Sequence, residues 1–203
     1  MSKSTADEAL ELPPVESSEF PLTTAQVGMA AFLCSEAAFF STLVVSYLIY
    51  LGQDQSGPTP AESLSLTRAV INSAFLLGSS GTIMLAMNSR KANSLGGFSV
   101  WMFVTIALGV MFLVGTAYEW EELIYKDGLT ISRNLFGTTF FTLIGFHAFH
   151  VTIGLVLLTI ITCLERAGRF SAKSEAPELV SWYWHFVDAV WIVIFGVVYW
   201  MGT

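Results

Sequence analysis

The chain is poor in charge. Only 12% of its 203 residues are Asp, Glu, Lys or Arg, against about 25% in a typical soluble domain. The scarcity is uneven, since charges collect in short stretches and long apolar runs lie between them. That distribution excludes an ordinary water-soluble core and points to a bundle in lipid. Basic residues are also few, and the net charge is −7. The basic patches that nucleic acid needs are therefore missing. There are two cysteines, Cys34 and Cys163, both within apolar runs. This is no disulfide framework, and the pair reads as inert buried residues. A basic, apolar leader is absent too. The first 20 residues carry Asp7, Glu8, Glu11, Glu16 and Glu19 with Pro13 and Pro14, which fits an extended acidic tail rather than a cleaved signal. There is no phosphate-binding glycine loop, nucleophile elbow or zinc helix motif, no internal repeat and no low-complexity tract.

What is present is five apolar runs, at about residues 24–51, 69–87, 98–117, 136–164 and 181–201. Each is long enough to cross a hydrocarbon core of about 30 Å as a helix. Lipid cannot satisfy an open strand edge, and the alternation of a barrel strand is absent. The expected fold is all-α: a polar acidic tail over residues 1–24 and a five-helix transmembrane domain over 25–203. The connections expected are 52–66, 88–97, 118–135 and 165–180. With the N-terminus in the cytoplasm, Lys3, Arg90, Lys91, Arg166, Arg169 and Lys173 fall on that side, while Arg68, Lys126 and Arg133 fall outside. The positive-inside rule favours this orientation, with the C-terminus outside.

Ionisable residues inside the runs are costly and therefore informative. Glu36 lies roughly 18 Å along the first helix, near mid-membrane. A lone carboxyl there is costly when ionised and is expected to hold its proton. It reads either as a proton-exchanging group or as a protonated acid satisfied by a neighbouring helix. His147 and His150 are spaced i, i+3 on the fourth helix, as are His185 and Asp188 on the fifth. The expected role of all four is interhelical hydrogen bonding. A heme held by histidines from facing helices, and a proton relay through His185 and Asp188, are the sharper alternatives. Arg166, Arg169 and Lys173 are candidates for anionic lipid headgroups. Gly78, Ser79, Ser80 and Gly81 form a patch of small residues that reads as a close-packing signal, as do Ala30, Ala31, Ser35, Ala37 and Ala38.

Three stretches resemble subunit III of the heme–copper respiratory oxidases. They are Ser35-Glu36-Ala37-Ala38-Phe39-Phe40, then Gly137-Thr138-Thr139-Phe140-Phe141 with Gly145-Phe146-His147-Ala148-Phe149-His150-Val151, and Trp182 through Trp191 with Tyr199-Trp200-Met201-Gly202. Asn72-Ser73-Ala74-Phe75-Leu76-Leu77 and Tyr118-Glu119 add to the likeness, which runs from about residue 25 to the end. The resemblance implies an accessory subunit without redox centres, so no cofactor in this chain. Heme and copper are expected in the catalytic subunits I and II, its implied partners together with membrane phospholipids. It further implies support of proton uptake, of the enzyme through repeated turnover, and of lipid and oxygen access. Glu36 matches the family's carbodiimide-reactive glutamate. Many members have two additional helices before the point where the likeness begins, and five-helix members are bacterial, so a bacterial plasma membrane is expected. Glutamate at position 36 leans toward cytochrome c as electron donor. The equivalent subunit of a quinol oxidase, a nitric oxide reductase partner and an independent proton-coupled transporter are the other readings. The transporter lacks support from inverted repeats or broken helices.

Overall fold

The computed structural model describes residues 22–53, 64–171 and 174–201. The acidic stretch 1–21, Lys173 and the last two residues lie outside the described residues. Five helices account for nearly all the rest: α1 (Thr24–Tyr50), α2 (Leu66–Lys91), α3 (Leu95–Tyr125), α4 (Leu135–Arg166) and α5 (Ala176–Phe195), the last continuing as a π-helical turn over Gly196–Trp200. All five are long and apolar enough to cross a membrane, and no strand occurs among the described residues.

The sequence explains where the helices start. Thr23 caps α1 in a reciprocal box, its hydroxyl accepting from the Gln26 N–H and its own N–H donating to the Gln26 side chain. Two of the orphan donors at a helix start are thereby met. Ser94 and Asn134 cap α3 and α4 by accepting from the N–H three residues on. Pro177 falls in the first turn of α5, where a missing N–H costs nothing. Arg90 and Lys91 close α2, where cations complement the helix dipole.

The short connections make neighbouring helices alternate in direction. α2 and α3 form a tight antiparallel pair, and α4 packs between α3, α5 and α1. α5 touches α1, α2 and α4. In consequence α5 carries fully enclosed aromatic residues, Trp184 and Trp191 among them.

Three helices outrun the apolar stretches that mark them. α2 extends to Lys91 and α5 begins at Ala176, each taking in residues expected in connections. α3 continues two turns past Ala117, so Glu119, Glu121 and Glu122 are helical rather than in a loop. The buried face of α3 gives the reason. Phe98, Met102, Thr105, Gly109, Phe112, Thr116, Glu119 and Leu123 recur at alternating intervals of four and three, a single seam that does not stop where polar residues begin.

Candidate functional site

The ionisable residues within the spans, His147 apart, gather into two seams and a cluster at one end. The first seam joins α1 to α4. Glu36 Oε2 lies 3.1 Å from His150 Nε2, so the carboxyl is not alone as its position in the sequence suggests. The other ring nitrogen, Nδ1, is 2.7 Å from the Phe146 carbonyl. A carbonyl only accepts, so Nδ1 carries a hydrogen. Two arrangements then satisfy the 3.1 Å contact. Either a neutral carboxylic acid donates to Nε2, or a doubly protonated imidazole donates to a carboxylate. In both, one proton is shared between Glu36 and His150. Around the pair, Phe40 meets the His150 ring edge-on at 4.9 Å and Phe149 does so at 5.9 Å. Tyr183 of α5 donates to the His150 carbonyl. The Glu36 side chain keeps 20% of its surface accessible, so the pair lies at the edge of the bundle.

One turn away His147 has different company. It is fully buried, stacked on Trp191 at 5.0 Å and edge-on to Phe112 and Phe40. Neither ring nitrogen meets a hydrogen-bond partner among the described residues. The spacing that places His147 and His150 on one face is realised, since both rings contact Phe40, yet only His150 joins a polar pair. The reason is depth: His147 points to where α3 and α5 bring large rings together, and His150 points toward α1.

The second seam joins α2 to α5. Ser80 Oγ donates to Asp188 Oδ2 and is 3.0 Å from His185 Nδ1. Ser79 accepts from Trp184 Nε1 at 2.8 Å, and Ser73 accepts from Trp191 Nε1 at the same distance. The Trp184 ring is slotted between Gly109 of α3 and Gly154 of α4. A Cβ at Gly154 would come within 2.7 Å of the ring and one at Gly109 within 2.9 Å. The small-residue patch on α2 therefore works differently from its sequence reading. Its serines are the hydrogen-bond acceptors and donors for α5, while Gly81 faces open space and Gly78 makes only ordinary contact. Most of the small residues of α1 are also exposed, including Ala31, Ser35, Ala37 and Ala38, and Cys34 and Cys163 are exposed rather than buried, as the outer faces of α1 and α4 carry them.

At the end of the bundle where α1 finishes, Tyr199 donates to Glu119 Oε2 at 2.7 Å, and Glu122 pairs with Arg68 and Lys126. Glu119 is buried, a role hidden by placing it in a connection. The four-and-three rhythm of the α3 face is the signal that reveals it. At the opposite end Arg90 binds Glu165 and the Ser171 carbonyl, and Thr23 donates to Glu175. Arg166 ends α4 and Arg169 follows it, at this same end.

Among the described residues, no three His, Cys, Asp or Glu side chains converge as a metal site requires. Both nitrogens of His150 are engaged, Nδ1 of His185 is held by Ser80, and His147 is enclosed by rings.

A model of the cytochrome c oxidase subunit III family matches residues 19–203. The cytochrome c oxidase subunit 3 of Synechocystis sp. is 39% identical over 180 residues, covering 85% of this chain and 73% of the relative. That of Bacillus subtilis is 35% identical over 178 residues, covering 87% and 86%. The probable cytochrome c oxidase subunit 3 of Mycobacterium leprae is 34% identical over 174 residues, covering 85% and 86%. The match takes in all five spanning helices and both polar seams, and the chain belongs to the cytochrome c oxidase subunit III family.

Proposed function

We propose that this chain is the non-catalytic subunit III of a proton-pumping cytochrome c oxidase in a bacterial plasma membrane. In this reading it binds catalytic subunits I and II, which hold the heme and copper. It supports their proton uptake, their stability and the access of lipid and oxygen. The observation that carries the proton role is the Glu36–His150 pair, because its hydrogen-bond pattern holds one shared proton near mid-membrane. A proton held between a carboxyl and an imidazole can leave or return with little rearrangement. The pair is also partly accessible from the side of the bundle, where a partner subunit or lipid would lie.

Glu36→Gln tests this in the assembled oxidase. Glutamine keeps the shape, and its amide can still donate to His150, but it cannot ionise. The variant complex is expected to assemble and to retain most electron transfer, with altered proton uptake or pumping. Unchanged uptake and pumping would leave the pair a packing contact. Complete loss of oxygen reduction in a fully assembled variant would overturn the accessory role.

The same reading places the Arg90/Lys91 end of the bundle in the cytoplasm. Arg90, Lys91, Arg166 and Arg169 all belong to that end, as the positive-inside rule requires of a cytoplasmic face. A Ser94→Cys variant should react with a membrane-impermeant thiol reagent only from the cytoplasmic side. Reaction from the outside alone would reverse the orientation.

A further inference from the structure

The Ser80–His185–Asp188 group is separate from the Glu36–His150 pair, and its geometry is that of a relay. Ser80 has one hydroxyl proton and two partners, Asp188 Oδ2 and His185 Nδ1. When the hydroxyl donates to Asp188, its oxygen accepts Nδ1–H of His185. Asp188 is 3% exposed, and its other oxygen, Oδ1, has no partner among the described residues. A buried carboxylate with one free oxygen is costly, and taking up a proton removes most of that cost.

His185, by contrast, reaches space. It lines a cavity of about 280 Å³ together with Met84, Asn88, Arg90, Lys91 and Glu178. On α2, Met84, Met87, Asn88 and Lys91 line it at helical intervals that keep one face, and Ser80 lies about one turn beyond Met84 on the same helix. On α5, Glu178, Ser181, Trp182 and His185 do the same. The cavity is thus the seam between α2 and α5, opening at the Arg90/Lys91 end and leading down to His185.

We infer that Ser80, His185 and Asp188 form a proton-uptake site that loads Asp188 from the Arg90/Lys91 end of the bundle. A proton from cavity water arrives on His185 Nε2. The Nδ1 proton passes to Ser80 Oγ as the Ser80 proton passes to Asp188 Oδ2. Three bonds to hydrogen break (hydronium O–H in the cavity, His185 Nδ1–H and Ser80 O–H) and three form (His185 Nε2–H, Ser80 O–H and Asp188 O–H), leaving neutral water in the cavity. His185 ends neutral in its other tautomer and Asp188 ends protonated. The charged groups facing the cavity are Arg90 and Lys91 from α2 and Glu178 from α5. On the other helices packed against α5, Glu36 and His150 are engaged with each other and His147 is enclosed by rings. Neither pair nor ring hydrogen-bonds to the relay.

Infrared difference spectroscopy on the purified complex, after a switch from H₂O to D₂O, reads this site directly. Labelling aspartate with carbon-13 separates its carboxyl band from that of glutamate. The expected result is a protonated aspartate band that disappears in Asp188→Asn and shifts on deuteration. In Ser80→Ala the band should remain and its exchange should slow on the order of a hundredfold, the size of a lost positioned proton donor. Ser80→Thr, which restores a hydroxyl, should recover most of the rate, which a purely structural role of Ser80 does not require. Glu36→Gln should leave the exchange unchanged, so failure here is distinguishable from failure of the Glu36 proposal. If Ser80→Ala does not assemble, His185→Gln takes its place with the same expected slowing. No protonated aspartate band at any pH at which the complex is intact, or an exchange rate equal to wild type in whichever of Ser80→Ala and His185→Gln assembles, would overturn the inference.

Discussion

Helix α1 and helix α4 are both long and strongly apolar, yet they are held in different ways. α4 buries thirteen of its 32 residues, and its Gly154 admits the Trp184 ring. α1 buries two of its 27, Phe40 and Tyr47. Its hold on the bundle comes chiefly from those rings, from Phe32 stacked on Tyr183 and Phe39 against Phe146, and from the Glu36–His150 and Thr23–Glu175 contacts. The remaining helices meet through interdigitated rings and glycines, with serine hydroxyls taking the indole N–H groups. In lipid, apolar surface alone gives helices little reason to associate. Shape fit and satisfied polar groups decide the matter instead. The core has both in quantity, while α1 relies on a narrow strip. An outer helix with an accessible polar pair is well placed to answer to a neighbour, and an inner one is not.

The same substitution made at three glycines separates these regions most sharply. Leucine at Gly154 or Gly109 collides with Trp184, which is fenced on both sides and held at Nε1 by Ser79. Overpacking of this kind costs about 1–3 kcal/mol, and a fully buried indole with no free volume beside it puts these sites at the upper end. Leucine at Gly28 of α1 meets nothing within 4 Å and should be neutral or slightly favourable to the helix. Recovery of monodisperse subunit in detergent checks the contrast. The core variants should be lost and the α1 variant recovered at the wild-type level. Equal loss at all three positions would mean that α1 is as tightly enclosed as α4.

Much of this difference is invisible in the sequence, and the reason is physical. Length and apolar character depend on composition along one segment, so the five spans could be placed to within a few residues of their centres. Burial depends on what packs alongside. Both α1 and α4 show a histidine or glutamate within an apolar run, and nothing local says that His147 meets rings while His150 meets Glu36. The patch at Gly78–Gly81 is a further instance. Small residues allow close approach, but a serine is both small and a hydrogen-bond partner, and only the facing helix decides which property is used. Ser79 and Ser80 found Trp184, His185 and Asp188. Glu119 was legible, by contrast. Its place in the alternating intervals of the α3 face carries the helix past the last apolar residue, and charge alone obscured it.

A smaller effect is expected from Phe40→Ala, which acts on the strip that holds α1. Phe40 is buried against His147 and His150 and also borders an apolar groove of about 360 Å³ between α1 and α5, lined by Ala37, Val44 and Val190. In a water-soluble core, deleting a buried phenylalanine costs about 3–5 kcal/mol. Here the groove is open at the side, so lipid chains can fill part of the space that the ring vacates, and their apolarity matches the protein's. The cost is then the lost ring contacts alone, about 2 kcal/mol or less. At the upper end that raises the opening of α1 by roughly thirtyfold without unfolding α2 to α5, which do not depend on this ring for their mutual packing. Amide hydrogen exchange in detergent or nanodiscs resolves the two regions. Faster exchange confined to the second half of α1, with α3 and α5 protected as in wild type, is the expected pattern. Loss of protection spreading into α3 or α5 would show that the His147 cluster transmits the defect, and that α1 is part of the core rather than docked upon it.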